Sequence, residues 1–175
     1  EKLSSRGVQV VAPKESLKSA DLPVLPEGVR RALRQSPNHV VVDVGGDPTG
    51  SRVLGGLRDA LPPTAKGLFV LNSRRPFTRT VEEARQALDL ITRAAGLQAS
   101  GLVANTHLAD LTTLDHVLDG LSFAKELSKM TGLPVSLVCA PERLRDKEKE
   151  IRANLGDTDL LYLRRFLLKP WEIEG

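Results

Sequence analysis

The stretch "VVVDVGGDPTG", residues 40–50, joins a run of valines to a loop rich in glycine. Three valines lead directly into Asp43, and three glycines, a second aspartate and a proline follow. Valine runs are typical of buried strands, and glycine, aspartate and proline are typical of the turns that end them. The stretch therefore predicts a buried strand with an acid at its carboxyl end.

Other short apolar runs have a similar composition. They are "VQVVA" (8–12), "LFVLN" (68–72), "GLVAN" (101–105) and "VSLVC" (135–139). None alternates strictly between apolar and polar residues, and such runs are typical of strands that are buried on both faces. Strands of this kind favour a parallel sheet covered by helices.

The intervals between these runs show helical periodicity. An apolar stripe over residues 81–95 follows the capping-box pattern "TVEE" (80–83), and a second stripe over 114–124 follows "TTLD" (112–115). A glycine closes each helix in the pattern expected of a C-terminal cap. The spacing therefore predicts two long amphipathic helices.

Shorter elements are predicted elsewhere. Pro26 suits the first turn of a helix through Leu33, and Ser51 is placed to cap a short helix. The charged segment 141–155 predicts a solvent-facing helix. Residues 156–175 are expected to form a short strand or a tail that docks on the domain.

Strand and helix alternate along most of the chain. This pattern predicts one doubly wound α/β domain over residues 1–175, with a mainly parallel sheet of about five strands and helices on both faces. The chain has 175 residues, which is enough for one hydrophobic core.

The composition limits the function classes. Aromatic residues make up 3% of the chain and the net charge is +3, which argues against a nucleic-acid platform. The single cysteine excludes an internal disulfide and is typical of a reducing compartment. No apolar run approaches the ~18 residues of a membrane span. We therefore expect a soluble, cytoplasmic protein.

Polar residues follow three consecutive predicted strands. They are Asp43, Gly45, Gly46 and Asp47, then residues 72–75, then Asn105. Ligands of open parallel sheets bind outside the carboxyl ends of the strands, so these residues form a candidate site.

The first of these groups suits a magnesium phosphate. A carboxylate at a strand end, here Asp43, can hold hydrated Mg²⁺ beside substrate phosphates. Gly45 and Gly46 would let backbone N–H groups approach phosphate oxygens, and Asp47 could orient an attacking water. The structural alternative is an Asx-turn in which the glycines supply positive φ angles.

The same stretch resembles the Walker B and switch II segment of the ParA/MinD/CobQ–CobB class of deviant-Walker P-loop ATPases. The spacing of Asp43 and Asp47 is also similar to switch II of the nitrogenase iron protein. The segments "LFVLNSRRPFTRTVEEARQAL", "GLVANTHL" and "GLPVSLVCAPERL" resemble later strands, loops and helices of the class. The resemblance covers roughly residues 8–145 in the same order.

The resemblance implies a role for each matching residue. Asp43 would bind Mg²⁺ through water, Gly46 would sense the γ-phosphate, Asp47 would position water, Asn105 would recognise adenine, and Pro141 and Glu142 would lie near the base. An amide side chain offers a donor and an acceptor to a purine edge. The alternative for Asn105 is an ordinary residue between a strand and a loop.

The class-defining P-loop, with lysines before Ser or Thr, is absent from these residues. The resemblance therefore implies the C-terminal two-thirds of such an ATPase, a truncated chain that binds nucleotide weakly or not at all. The intact protein would hydrolyse ATP slowly as a homodimer.

A second hypothesis is a non-catalytic scaffold that retains the fold without the phosphate site. Three arginines, Arg74, Arg75 and Arg79, would then contact a protein partner. They could equally form a solvated basic loop.

Overall fold

The computed structural model of the protein describes residues 3–11, 28–35 and 39–166. It contains a four-stranded parallel sheet in the order β1-β2-β3-β4. The strands are Gly67–Leu71 (β1), Ala99–Ala104 (β2), Val135–Pro141 (β3) and Asp159–Leu163 (β4). The predicted α/β class with a parallel sheet is confirmed.

Helices precede the sheet and connect its strands. They are Val29–Gln35 (α1), Pro48–Gly55 (α2), Val81–Ala95 (α3), Leu114–Thr131 (α4) and Glu148–Leu155 (α5). In the described ranges, no helix is both long and apolar enough to cross a membrane.

The chain divides into two compact units. The first unit contains the residues up to Ala65 together with Leu90–Gln98, so that it includes α1, α2 and the end of α3. The second, here called the sheet unit, contains Lys66–Asp89 and the residues from Ala99 onward.

The core of the sheet unit lies between one face of the sheet and the helices that connect its strands. The fully or nearly fully buried members are Leu71, Ala84, Leu102, Ala104, Val117, Leu121, Ala124, Leu127, Val138, Ala140, Ile151 and Leu155. Besides the strands, the helices α3, α4 and α5 contribute to this core. The contribution of α3 comes from its part before Leu90.

The opposite face is covered unevenly. Val103 is 5% exposed, whereas Leu68 and Val70 of β1 are 51% and 59% exposed. Leu161 and Leu163 of β4 are also exposed. The prediction that the strand is buried on both faces therefore fails for β1. In the sheet unit the helices that connect the strands pack on the face that contains the core, so parts of the opposite face remain exposed.

Among the residues that the structure describes, two of the five predicted strands do not form. Val8–Val11 and Val40–Val44 have no strand hydrogen bonds, and the side chain of Val41 is 93% exposed. The fourth strand of the sheet is instead Asp159–Leu163, in the segment for which a strand or a docked tail was predicted. A valine run forms a strand only where a neighbouring strand supplies the hydrogen bonds.

The predicted capping box of α3 is confirmed. The Thr80 hydroxyl accepts a hydrogen bond from the Glu83 N–H at 3.1 Å, and the Glu83 carboxylate accepts from the Thr80 N–H at 3.2 Å. Gly96 follows the helix with φ of 62°, as a left-handed C-terminal cap requires.

The predicted cap of α4 is wrong by one residue. Its N-cap is Thr113, and the His116 ring nitrogen accepts a hydrogen bond from the Thr113 N–H at 3.0 Å. Thr112 is instead buried in the preceding loop. Histidine therefore fills the position that glutamate or glutamine usually fills in a capping box.

The predicted cap of α2 is also wrong. Ser51 lies inside the helix and is buried, and Asp47 is the N-cap. The charged segment 141–155 forms a 3₁₀ turn, Glu142–Lys147, followed by α5, whose Ile151 is fully buried. The predicted start at Pro26 and the tail after Phe166 lie outside the described residues.

Candidate functional site

The predicted site residues belong to both units of the chain. Asp43, Gly45, Gly46 and Asp47 lie in the first unit, and Asn105, Pro141 and Glu142 lie in the sheet unit. Each group has its own geometry, which is described separately below.

Asp47 forms the N-terminal cap of α2. Its Oδ1 atom accepts hydrogen bonds from the N–H groups of Thr49 at 2.8 Å and Gly50 at 2.9 Å. Pro48 occupies the first helical position, where its missing N–H is not needed. Oδ2 accepts no hydrogen bond from the residues that the structure describes, so one oxygen of this exposed carboxylate faces solvent.

Two glycines of this stretch pack against each other. A Cβ atom on Gly50 would lie 2.8 Å from the Gly45 Cα, which is closer than real Cβ contacts. The Ser51 hydroxyl donates to the Gly45 carbonyl at 3.2 Å and fixes the same approach. Close backbone packing therefore explains Gly45 and Gly50.

The third glycine, Gly46, has no such explanation. A Cβ atom there would meet nothing within 4 Å. None of the glycines in residues 45–50 has a positive φ angle. The structural alternative is therefore wrong in assigning positive φ angles to these glycines, although Asp47 does accept a hydrogen bond from the N–H two residues on, as in an Asx-turn.

Asn72 joins the loops that follow β1 and β2. Its Nδ2 donates to the His107 carbonyl at 3.1 Å, and its Oδ1 accepts from the Arg74 N–H at 3.0 Å. The Ser73 N–H donates to the Thr106 hydroxyl at 3.2 Å. The carboxyl ends of these two strands are therefore held together by side chains as well as by the sheet.

Helix α4 lies close to this junction. Thr106 is 3% exposed, and a Cβ atom on Gly120 would lie 2.5 Å from its Cβ and hydroxyl oxygen. Glycine at this helical position lets Thr106 pack beneath α4 and reach Ser73. Sequence periodicity did not reveal this role, because glycine carries no apolar signal.

Asn105 is placed at the same edge. Its backbone N–H donates to the Leu71 carbonyl at 2.8 Å, which extends the pairing of β1 with β2 by one residue. The side chain is half-buried and has no hydrogen-bonding partner within the described part of the chain. Its amide group is therefore available to a ligand as donor and acceptor.

Pro141 ends β3 at this edge, and Glu142 follows the strand. Pro141 is the last residue of the strand, and the exposed Glu142 opens the 3₁₀ turn. The Glu142 carboxylate lies 3.8 Å from the Arg145 guanidinium, a loose contact between exposed groups. Both side chains remain accessible to a molecule bound beside the strand end.

The loop after β2 is anchored from within and from the next loop. The buried Thr112 hydroxyl donates to the Ala109 carbonyl at 2.6 Å and accepts from the Leu108 N–H at 2.9 Å. The Arg143 guanidinium donates to the carbonyls of Asp110 and Thr112. Sequence reasoning missed both residues, since a buried threonine in a loop has no periodic pattern.

His107 lies half-buried at this edge. Burial, and then the positive charges of Arg75 and Arg165, hold the pKa of its imidazole below the ordinary value. Its Nδ1 accepts a hydrogen bond from the Ala109 N–H at 3.3 Å, which requires that nitrogen to be unprotonated. His107 is therefore part of the framework of this loop.

An open pocket of about 290 Å³ lies between the loop after β1 and helix α4. It is lined by Ser73, Arg74, Arg79, Asp119, Ser122, Phe123 and Glu126. Arg74 bridges part of this pocket through an ion pair with Asp119 at 2.9 Å. The pocket thus combines cationic, anionic and aromatic groups.

No group of three or more histidine, cysteine or acidic side chains suited to a metal occurs within the described ranges. A magnesium ion bound with a nucleotide needs only one or two carboxylates, because water and phosphates supply its other ligands. The exposed Asp43 carboxylate fits that limited requirement.

Comparison of this chain with family models, with curated proteins and with solved structures gives no match.

Proposed function

We propose that this chain is part of a nucleotide-binding switch protein of the ParA/MinD-like class, which binds and hydrolyses ATP when its phosphate loop is present. The supporting observation is the arrangement at the carboxyl edge of the sheet. Asn72, Asn105 and Pro141–Glu142 follow three adjacent parallel strands. This edge is where open α/β sheets bind ligands.

Asn105 carries the base-recognition part of the proposal. It follows β2, a strand with a neighbour on each side, and its amide has no partner within the described residues. An unpaired half-buried amide is costly unless a ligand or water completes its hydrogen bonds. A purine edge would supply both a donor and an acceptor.

Asp43 and Gly46 carry the phosphate part. The Asp43 carboxylate would hold Mg²⁺ through water, and the metal would supply charge neutralisation at the phosphates. No packing contact requires glycine at position 46, which leaves its small size available for a close phosphate contact. The open Oδ2 of Asp47 would orient water while Oδ1 caps α2.

The proposal extends to assembly and location. By resemblance to the class, the intact protein would close as a homodimer around nucleotide, and it would work in the cytoplasm. The second candidate function is a scaffold that keeps the fold and lacks the phosphate site. Packing of Gly45 against Gly50 supports the scaffold, because it explains part of the glycine-rich loop without a ligand.

Calorimetric titration of Mg-ATP tests the proposal. The chain as given and a version extended upstream in its gene would each be titrated, with Asp43→Ala and Asn105→Ala in the extended version. We expect binding by the extended protein, weaker binding after either substitution and little binding by the shorter chain. Replacing ATP with GTP would test recognition of the base by Asn105.

The outcomes separate the two candidate functions. Absence of binding by both versions would reject the nucleotide proposal and favour the scaffold. Binding that survives Asp43→Ala unchanged would reject the magnesium role of that residue. Equal affinity for ATP and GTP would contradict adenine recognition by Asn105.

A further inference from the structure

The loop between β1 and α3 contains an aromatic side chain that the fold does not use. Phe77 is 84% exposed and has a φ angle of 66°. A bulky residue in this left-handed region is strained, and such strain is often found where a residue has a binding function. An exposed phenyl ring also gains no stability from burial.

Hydrogen bonds around Phe77 hold the loop in this shape. The Thr78 hydroxyl donates to the Asn72 carbonyl at 2.8 Å, and the Thr78 N–H donates to the Arg75 carbonyl at 3.3 Å. Asn72 is itself tied to the loop after β2. The phenyl ring is therefore exposed to solvent on a turn that these hydrogen bonds hold in place.

The charges beside Phe77 are positive and only partly neutralised. Arg74 forms an ion pair with Asp119, whereas Arg75 and Arg79 form none within the described residues. The backbone N–H of Arg79 is fixed by the Glu83 carboxylate at 2.9 Å, which positions this arginine at the start of α3. Aromatic and arginine side chains together are the residue types that dominate binding energy at protein interfaces.

We propose that Phe77, Arg75 and Arg79 form a docking surface for an acidic protein segment that carries an apolar side chain. Charge complementarity selects an acidic partner, and the phenyl ring gives its apolar residue a contact. Arg79 also lines the open pocket that contains Phe123.

The same surroundings disfavour a nucleic acid as the partner. The chain has a net charge of only +3. One exposed ring also provides a smaller stacking surface than single-stranded nucleic acid usually requires.

Fluorescence anisotropy with a short labelled peptide tests this inference. The peptide would alternate glutamate with leucine and phenylalanine, and two controls would replace its glutamates with lysine or its apolar residues with glycine. We expect binding of the acidic apolar peptide alone. Phe77→Gly, and the double change Arg75→Glu with Arg79→Glu, should each raise its Kd about tenfold or more.

Two controls separate binding from folding. Phe77→Gly removes the strain at a positive φ angle, so its thermal unfolding temperature should stay the same or rise while peptide affinity falls. Lys149→Glu changes the charge of an exposed residue on α5 and should leave the Kd unchanged.

Several results would overturn the inference. These are no binding of the acidic apolar peptide, equal binding of the lysine peptide, or an unchanged Kd in Phe77→Gly. Tighter, steeply salt-dependent binding of oligothymidylate would assign the surface to nucleic acid instead. Sedimentation that shows self-association lost in Phe77→Gly would assign it to a second copy of the chain.

Discussion

Two apolar runs of similar composition have different structures in this protein. Val135–Pro141 forms β3, with β2 and β4 on either side, and its Val138 is fully buried. Val40–Val44 forms no strand, and its Val41 is 93% exposed. Both runs were predicted as strands from their apolar residues, so the difference lies in the neighbours that each run finds.

The edge strand β1 also shows that the neighbours of an apolar run decide how far it is buried. β1 pairs with β2 on one side, and its uncharged residues Leu68 and Val70 are half-exposed. Natural edge strands are usually protected by charges, prolines or covering segments. Under the proposed function a further central strand, with the P-loop, would lie outside these residues, and an uncharged edge at β1 is consistent with that proposal.

The largest expected effect comes from one substitution made in each run. Val138→Ala removes buried methyl groups and leaves a cavity, so it should lower the free energy of unfolding by about 2 to 3 kcal/mol. Val41→Ala should change it by less than about 0.5 kcal/mol, because the side chain is exposed. Urea unfolding followed by circular dichroism measures both.

The same two variants can also contradict the difference in burial between the two valine-containing runs. A loss after Val41→Ala as large as that after Val138→Ala would mean that residues 40–44 are buried in solution. If the loss appeared only in the upstream-extended protein, it would indicate that the added segment supplies the missing neighbour for the valine run.

Sequence patterns predicted local structure better than pairing. The helical stripe and the reciprocal cap at Thr80 and Glu83 were correct, since both depend on residues close in the chain. For the segment that contains Asp159–Leu163, the sequence predicted only a short strand or a docked tail. Its partner, β3, lies about 20 residues earlier in sequence, and periodicity contains no information about pairing over such a separation.

The site was predicted only as a set of strand ends. Asn72 follows β1 and Asn105 follows β2, so the parallel pairing of these strands brings the two residues to the same edge of the sheet. The apolar runs indicated this parallel pairing. The contact of Gly120 with Thr106 could not be foreseen, because it depends on how α4 crosses the sheet. Asp47 as a helix cap could have been found from the Asp-Pro pair, which is a typical helix start.

An intermediate effect is expected at the two aspartates of the glycine-rich stretch. Asp47→Ala removes the cap of α2 and should cost about 1 kcal/mol, whereas Asp47→Asn retains an acceptor oxygen and should cost less. Asp43→Ala should stay within about 0.5 kcal/mol, because Asp43 is exposed. Thermal unfolding of the three variants measures these differences.

The Asp47 pair also separates capping from catalysis. In an extended protein that hydrolyses ATP, Asp47→Asn should reduce the rate while it preserves the unfolding temperature. Full activity of Asp47→Asn would confine this residue to its capping role.

The smallest expected effect is a pH dependence of the free energy of unfolding. It arises from His107, in the loop that follows β2, and not from the valine run at residues 40–44. Burial and the nearby arginines lower the pKa of His107 below its ordinary value of 6.5. Between the folded-state pKa and 6.5 the unfolded chain therefore binds more protons than the folded chain. This contribution to stability is complete above pH 6.5 and is lost as the pH falls through the folded-state pKa.

Urea midpoints measured between about pH 7.5 and about pH 5 should fall less in His107→Gln than in the unchanged protein. An equal fall in both proteins would mean that another group titrates, and that the loops after β1 and β2 do not hold the imidazole as tightly as their hydrogen bonds indicate.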